Sequence, residues 1–208
     1  MTNFVTNPIK SQSFAYNWNE IKMLIEKARV TNQRDYTLFI TFALSGRRSS
    51  EIVGRNDRPI KMPGLKPQDI DFETKTINWT IAKRYVDPKT RTIRYTTILP
   101  AHSKMMEVLS KYITLKNINP NEKIFDITIQ RVNQIMHKYC KECGIINKAR
   151  LVHAFRHGFA IESLKQCDTP EEMINVQRNL QHTSFAMTEN YLAFTKNKQR
   201  EVLEKMEL

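Results

Sequence analysis

The sequence has few of the features that mark disordered, secreted or membrane-spanning chains. Only 5 Gly and 8 Pro occur among 208 residues, and 40% of the residues are hydrophobic, which is the composition of a chain that buries a core. Three cysteines, an odd number, do not form the paired framework of a small secreted protein. The longest apolar stretch, residues 38–44, is interrupted by Thr41 and is far shorter than the ~20 residues that span a bilayer. The N-terminus has no leader-like pattern, so we expect a cytoplasmic protein with no membrane partner.

The charge of the chain is one-sided. Lys and Arg number 33 against 21 Asp and Glu, which gives a net charge of +12 and a pI near 9.7. Such an excess favours a polyanionic partner, with nucleic acid first and an anionic membrane second. A basic, well-solvated surface explains the charge equally well, so the charge alone does not choose among these classes.

The first third of the chain has the apolar spacing of helices. One predicted amphipathic helix repeats its apolar residues at i, i+3, i+4 and i+7: Ile21, Leu24, Ile25 and Ala28. A second, more apolar helix is predicted over residues 35–44, with Gly46 ending it, and a short helix over residues 49–53. Residues 54–64 have the glycines, prolines and basic residues of a loop.

The middle of the chain changes to strand-forming residues. Residues 76–82 and 92–99 are rich in β-branched and aromatic side chains, and residues 87–90 between them form a natural turn. We expect a β-hairpin with a short first strand near residues 69–71. Everything after Pro100 is predicted helical, including a helix that starts at Thr169. The fold class is therefore α+β: one mostly helical domain with a small antiparallel three-stranded sheet.

Cys140 and Cys143 form a Cys-x-x-Cys pair that His137 precedes, which suggests zinc. No second such pair or spaced histidine pair completes four ligands, and residues 128–143 fit one continuous helix. We therefore predict ordinary helix cysteines and no metal.

Four short segments of the sequence, which we call islands, carry residues suited to phosphate chemistry. In chain order they hold Arg48 at a helix junction, Lys83 at the end of the strand before the hairpin turn, His153 and Arg156 three apart on one helix face, and His182 followed nine residues later by Tyr191. Taken singly, each has an ordinary structural explanation, such as a surface ion pair between Arg48 and Glu51. Together they supply cationic donors, an oxygen nucleophile and an acid, which phosphoryl transfer requires. No acidic cluster suited to Mg²⁺ accompanies them, so a route without a metal or other cofactor fits best.

The islands resemble the boxes of the tyrosine recombinase (phage integrase) family. Gly46-x-Arg48-x-x-Glu51 is similar to the first arginine box, residues 153–157 (His-Ala-Phe-Arg-His) to the second, and Leu180-x-His182 with Tyr191 to the third. The resemblance covers roughly residues 13–195. It implies a catalytic domain over that range, a flexible tail over residues 1–12 and a helical tail over residues 196–208.

The resemblance also implies a role for each residue. Tyr191 would attack the scissile phosphate, giving a 3′-phosphotyrosyl bond and a free 5′-hydroxyl. Lys83 would protonate the leaving 5′-oxygen, and His153 would serve the nucleophile as acid/base partner or orienting group. Donors to the non-bridging oxygens would be Arg48, Arg156 and His182, with Glu51 holding Arg48 and His157 in support. A second strand's 5′-hydroxyl would then attack the phosphotyrosine, so neither ATP nor metal is needed.

The implied partner is double-stranded DNA. Basic residues near the first island and the hairpin are the candidate DNA contacts: Arg47, Arg55, Arg58, Lys61 and Arg84. We expect a nucleoid-associated protein that is monomeric in solution and assembles as a tetramer on two DNA sites. The tail over residues 196–208 would pack either on its own domain or on a neighbour.

The sequence departs from the family pattern in places. Gln181 stands where many relatives have Gly, residues 54–64 look like an insertion, and only about 12 residues precede the catalytic domain, where relatives usually carry a clamping domain. Two alternatives stay open: a type IB topoisomerase-like enzyme, which would relax plasmid DNA of any sequence, and a non-catalytic DNA-binding regulator on the same scaffold, which would form no covalent adduct.

Overall fold

The computed structural model describes residues 15–57, 61–86, 93–145 and 151–181, with the backbone alone for residues 83–86, 93–95 and 151. The α-helices are α1 (Trp18–Thr31), α2 (Gln33–Ser45), α3 (Ser49–Ile52), α4 (Ser103–Lys116), α5 (Ile129–Glu142), α6 (Leu151–Lys165) and α7 (Pro170–Leu180). The strands are β1 (Ile70–Asp71), β2 (Thr76–Val86) and β3 (Ile93–Pro100). The predicted turn at residues 87–90 and both predicted tails lie outside the described residues.

Helix α2 is the centre of the core. Seven consecutive residues, Thr37 to Ala43, are buried, and the helix packs against α1, α4 and α6. The threonine hydroxyls of this helix donate hydrogen bonds to carbonyl groups one turn earlier; Thr41 Oγ1, for example, donates to the Thr37 carbonyl at 2.8 Å. The helix ends where the sequence predicts, because Gly46 takes the left-handed conformation (φ 62°) that favours glycine.

The sheet has the order β1-β2-β3 and is antiparallel throughout, which confirms the predicted fold class. Ile77, Trp79 and Ile81 on β2 are buried and alternate with more exposed residues, so one face of the sheet covers the core. Strand β2 pairs with β3 in regular register from Thr76 to Thr80, and the register shifts between Thr80 and Tyr85. The predicted second strand ended at Ala82; β2 instead continues to Val86.

Helix α6 crosses close to the first described residues. The Tyr16 amide donates to the Ala154 carbonyl at 3.3 Å. A Cβ at Gly158 would lie 2.6 Å from the Tyr16 carbonyl oxygen, so only glycine fits this backbone contact. Residues 15–17 are thereby fixed against α6, with Asn17 capping α1 at Glu20.

The predicted helix starts and the loop are also present. Thr169 caps α7 with Pro170 at the first helical position, and Thr128 caps α5. The basic loop at residues 54–64 is closed at its base by two hydrogen bonds between Arg55 and Met62, of 2.9 and 2.8 Å. Within the described parts of the chain, no helix is both long and apolar enough to cross a membrane.

Candidate active site

Arg48 lies at the junction between α2 and α3 and is held by Glu51. Its amide donates to Glu51 Oε2 at 3.0 Å, and its Nη1 donates to Oε1 at 3.2 Å. The Arg48 side chain is 17% exposed and that of Glu51 is fully buried. The predicted pair is therefore present, and its buried carboxylate fixes a guanidinium whose edge still reaches the surface.

Glu51 also joins this junction to the sheet. Its Oε1 accepts a hydrogen bond from the Ala82 amide of β2 at 3.1 Å. Lys83 follows Ala82 directly in the chain. The sequence placed Lys83 at a strand end; it lies inside β2 instead, since Tyr85 and Val86 extend the strand.

Arg156 of α6 connects the same junction to the end of α7. Its side chain is buried, Nη1 donates to the Gly46 carbonyl at 2.6 Å, and Nη2 donates to the Leu180 carbonyl. Gly46 lies two residues before Arg48, and Leu180 lies two residues before His182. Parts of the first, second and fourth islands, far apart in sequence, therefore converge on one guanidinium.

The two histidines of α6 lie nearer the surface. His153 is exposed and His157 is half-buried, with their rings edge-on at 6.4 Å. The spacing predicts that His153 and Arg156 share a face; the long arginine turns inward while the shorter imidazole stays accessible. An accessible imidazole suits proton exchange with a bound substrate.

Arg47 differs from its prediction as a DNA contact, because its side chain is fully buried. Nη2 donates to Asn179 Oδ1 of α7 at 3.0 Å, Nη1 lies 3.9 Å from Glu51 Oε2, and the guanidinium lies 5.7 Å from the Trp79 ring centroid. Sequence reasoning missed Trp79 and Asn179. The only signal for them was the buried-face alternation of β2 and the position of Asn179 beside the fourth island.

The other predicted DNA contacts fall in different places. Lys61 is exposed, while the Arg55 side chain is 19% exposed and lies 3.6 Å from Asp57. Only the backbone of Arg84 is described. Arg58, His182 and Tyr191 lie outside the described residues.

We call Arg47, Arg48, Glu51 and Arg156 the arginine cluster. It combines three arginines with one glutamate, so it carries excess positive charge at a partly buried junction. Burial lowers the pKa of Arg47 to about 10, with Glu51 opposing the shift, so the group remains charged at neutral pH. Guanidinium donors in such surroundings bind phosphate oxygens strongly.

Cys140 lies on α5, and Cys143 directly follows the end of that helix. Cys140 is buried with its Sγ 3.1 Å from the Tyr16 hydroxyl, whereas His137 is exposed on α5. Among the described residues, no group of three or more His, Cys, Asp or Glu side chains could hold a metal ion. The buried Cys140 contributes to the packing of the core.

Comparison with known proteins gives a family and relatives. The model of the phage integrase family matches residues 17–198. A tyrosine recombinase from Pseudothermotoga lettingae (strain ATCC BAA-301 / DSM 14385 / NBRC 107922 / TMO) is 29% identical over 178 residues, which cover 84% of this chain and 54% of the relative.

Solved structures with the same fold include two recombinases. The crystal structure of XerA recombinase has a TM-score of 0.68 at 21% identity and covers 93% of this chain and 66% of that chain. The post-cleavage complex of XerH site-specific recombinase with a palindromic difH substrate has a TM-score of 0.65 at 18% identity, covering 93% and 53%. The chain thus spans about half the length of the curated relative and no more than two thirds of either structure.

Proposed function

Since the chain belongs to the phage integrase family, we propose that it is a site-specific recombinase that cleaves and rejoins double-stranded DNA through a 3′-phosphotyrosyl intermediate. The observation that carries this proposal is the convergence at Arg156. One buried guanidinium binds the backbone beside Arg48 and the backbone that leads to His182. A scissile phosphate at this convergence would meet the donors that its non-bridging oxygens need.

The proposed reaction conserves the energy of the broken phosphodiester bond in the phosphotyrosyl bond between enzyme and DNA. The Tyr191 oxygen attacks the phosphorus and forms a P–O bond as the bond to the 5′-oxygen breaks. The tyrosine proton passes to His153 or to a group that His153 orients, and Lys83 gives its proton to the leaving oxygen. Attack by another strand's 5′-hydroxyl reverses these steps, so the residues named here need no ATP and no metal ion.

The stabilising groups have separate proposed tasks. Arg48 and Arg156 bind the non-bridging oxygens with His182, and Glu51 fixes Arg48 from behind. The excess positive charge of the arginine cluster supports this assignment, because charge developing on the phosphate is offset by donors already in place. His157 supports His153 from the same helix.

The proposed partner is duplex DNA; the XerH site-specific recombinase, which has the same fold, is bound to a palindromic difH substrate in its post-cleavage complex. Lys61 is exposed and suits a phosphate contact, and Arg58 and Arg84 stay predictions of the same kind. We propose a monomer in solution that forms a tetramer on two sites at the nucleoid, with residues 196–208 contributing to contacts between neighbours.

The test uses nicked suicide substrates made from the DNA that flanks the gene, with covalent adducts detected on a denaturing gel. Tyr191→Phe should abolish the adduct and leave DNA affinity nearly unchanged, because only the nucleophilic oxygen is removed. Tyr85→Phe is the matched control and should form the adduct at the wild-type rate.

An undiminished adduct in Tyr191→Phe would refute the assigned nucleophile. A wild-type chain that binds DNA but forms no adduct on any substrate would instead identify a non-catalytic regulator. Relaxation of plasmids of arbitrary sequence would point to topoisomerase-like activity.

A further inference from the structure

Burying the guanidinium of Arg47 costs free energy, and the described contacts of the side chain offset only part of that cost. One hydrogen bond, to Asn179, and one long ion pair, to Glu51, are its polar side-chain contacts in the described parts of the chain. Its Nε and Nη1 atoms are buried without a hydrogen bond. Buried ion pairs are often no more stabilising than well-packed apolar residues of similar volume, so stability alone gives a poor account of this arginine.

The contacts of Arg47 link two supports of the proposed site. Glu51 holds Arg48 and the Ala82 amide, while Asn179 precedes Leu180, whose carbonyl accepts from Arg156. On the side of the sheet, the guanidinium of Arg47 lies over the Trp79 ring of β2. A shift of Arg47 would therefore move the Glu51 carboxylate and the end of α7 relative to each other.

We propose that Arg47 is a positioning residue, which sets the end of α7 against Glu51 so that the donors on both sides meet one phosphate. Arg47 does not itself touch DNA, because its side chain is fully buried. This role rests on the proposed recombinase function. It predicts an effect on the rate of strand cleavage that is separate from DNA binding and from folding.

The principal variant is Arg47→Met, which keeps an extended side chain and removes the hydrogen bond and the charge. With the full chain in excess over a nicked suicide substrate, the single-turnover rate of adduct formation should fall about 10- to 100-fold, as misplacement of reacting groups does elsewhere. The Kd for the same DNA should stay unchanged, since a buried side chain makes no phosphate contact. The melting temperature should change little, because the lost Asn179 hydrogen bond and the removal of a buried charge oppose each other, while Glu51 keeps Arg48 as its partner.

Arg29→Met is the matched control. Arg29 is an exposed arginine of α1 paired with Glu26 at 2.8 Å, so its removal changes the net charge equally and should leave the cleavage rate unchanged. Asn179→Ala removes the acceptor and should slow cleavage in the same direction as Arg47→Met. In the Arg47→Met background, Asn179→Ala should add nothing further, because the two residues act through one hydrogen bond.

Arg47→Lys keeps the charge but lacks the planar guanidinium, so it should cleave at a rate between those of the wild type and Arg47→Met. If Arg47→Met does not fold, Arg47→Lys takes its place in the experiment. Wild-type cleavage rates in Arg47→Lys and Asn179→Ala would overturn the positioning role. The role would also be overturned if the cleavage rate of Arg47→Met recovered on cooling together with its folded fraction. A wild-type chain that forms no adduct would refute the proposed function and this role together. A wild-type adduct with an unchanged Arg47→Met rate would refute only the role.

Discussion

Two buried polar clusters adjoin α6 and differ in how their polar atoms are satisfied. The arginine cluster lies where α6 meets the α2–α3 junction and α7. The second, which we call the tyrosine cluster, comprises Tyr16, Asp35, Tyr139 and Cys140. Adjacent residues of α6 serve the two: Phe155 packs against the Tyr16 ring at 5.2 Å, and Arg156 reaches the arginine cluster.

Each polar group of the tyrosine cluster has a partner. The Tyr139 hydroxyl donates to Asp35 Oδ2 at 3.2 Å, and the Tyr16 hydroxyl lies 3.1 Å from Cys140 Sγ. Arg34 balances the Asp35 carboxylate at 2.8 Å, and Phe39 packs edge-on against Tyr139. Paired polar groups inside an aromatic core stabilise one packing arrangement.

The arginine cluster is less completely satisfied. It holds more positive than negative charge and leaves two nitrogens of Arg47 without hydrogen bonds. Such a cluster is costly in the free protein, and under the proposed function a phosphate bound at the exposed edge of Arg48 would offset its excess charge, while Arg47 stays out of contact with the DNA. Buried polar groups thus have two expected roles in this protein: stability in the tyrosine cluster and, under the proposed function, anion binding in the arginine cluster.

Glu51→Gln should have the largest effect of the substitutions that test this comparison. It keeps the shape of the side chain but removes the only carboxylate of the arginine cluster, so the free energy of unfolding should fall by about 3 kcal/mol. Arg48 would lose its fixed orientation, and single-turnover cleavage should slow about 100-fold. Urea denaturation and the adduct assay, both below the melting temperature, measure the two effects.

Asp35→Asn is the corresponding change in the tyrosine cluster. It should lower stability while the folded fraction cleaves at the wild-type rate. If Asp35→Asn slows cleavage as much as Glu51→Gln does, the two clusters are not functionally distinct and the comparison fails.

Tyr139→Phe should have a smaller effect, confined to stability. The variant removes the hydroxyl that donates to Asp35 and should cost about 1–2 kcal/mol, the usual cost of leaving a buried acceptor unpaired. Denaturation curves measure the loss, and the cleavage rate serves as the internal control because Tyr139 lies away from the arginine cluster. A rate change without a stability change would contradict the purely structural role.

The pH dependence of that same hydroxyl should give the smallest signal. Burial, with the neighbouring Asp35 carboxylate, raises the pKa of Tyr139 from 10.0 to about 12. The folded state therefore keeps a proton that the unfolded state loses, and the stabilisation is complete below about pH 10 and declines towards pH 12. The stability difference between wild type and Tyr139→Phe should shrink between pH 8 and pH 11; a constant difference would show that Tyr139 titrates normally when folded.

The sequence predicts local features well where one residue decides them. Gly46 ends α2 through its left-handed conformation, and Thr169 with Pro170 starts α7. The pairing of Arg48 with Glu51 was predictable too, because residues three apart in a helical turn are neighbours. Each of these depends on contacts within a few residues.

The features that were missed depend on contacts distant in sequence. Arg47 binds Asn179 across 132 positions, and nothing in the local sequence separates the fully buried Arg47 from the partly exposed Arg48 beside it. The end of β2 was placed too early because Lys83 and Arg84 interrupt the apolar pattern, while pairing with β3 continues the strand to Val86. Tertiary contacts decide both outcomes.

The bond between Glu51 and the Ala82 amide has a mechanical consequence for Lys83. It makes Ala82 a fulcrum for the end of β2, within the break in register between Thr80 and Tyr85. At about 3.3 Å per residue, Lys83 is one step from that fulcrum and Val86 is about 13 Å away. A rotation of residues 83–86 about Ala82 would therefore displace the backbone of Lys83 only about a quarter as far as that of Val86.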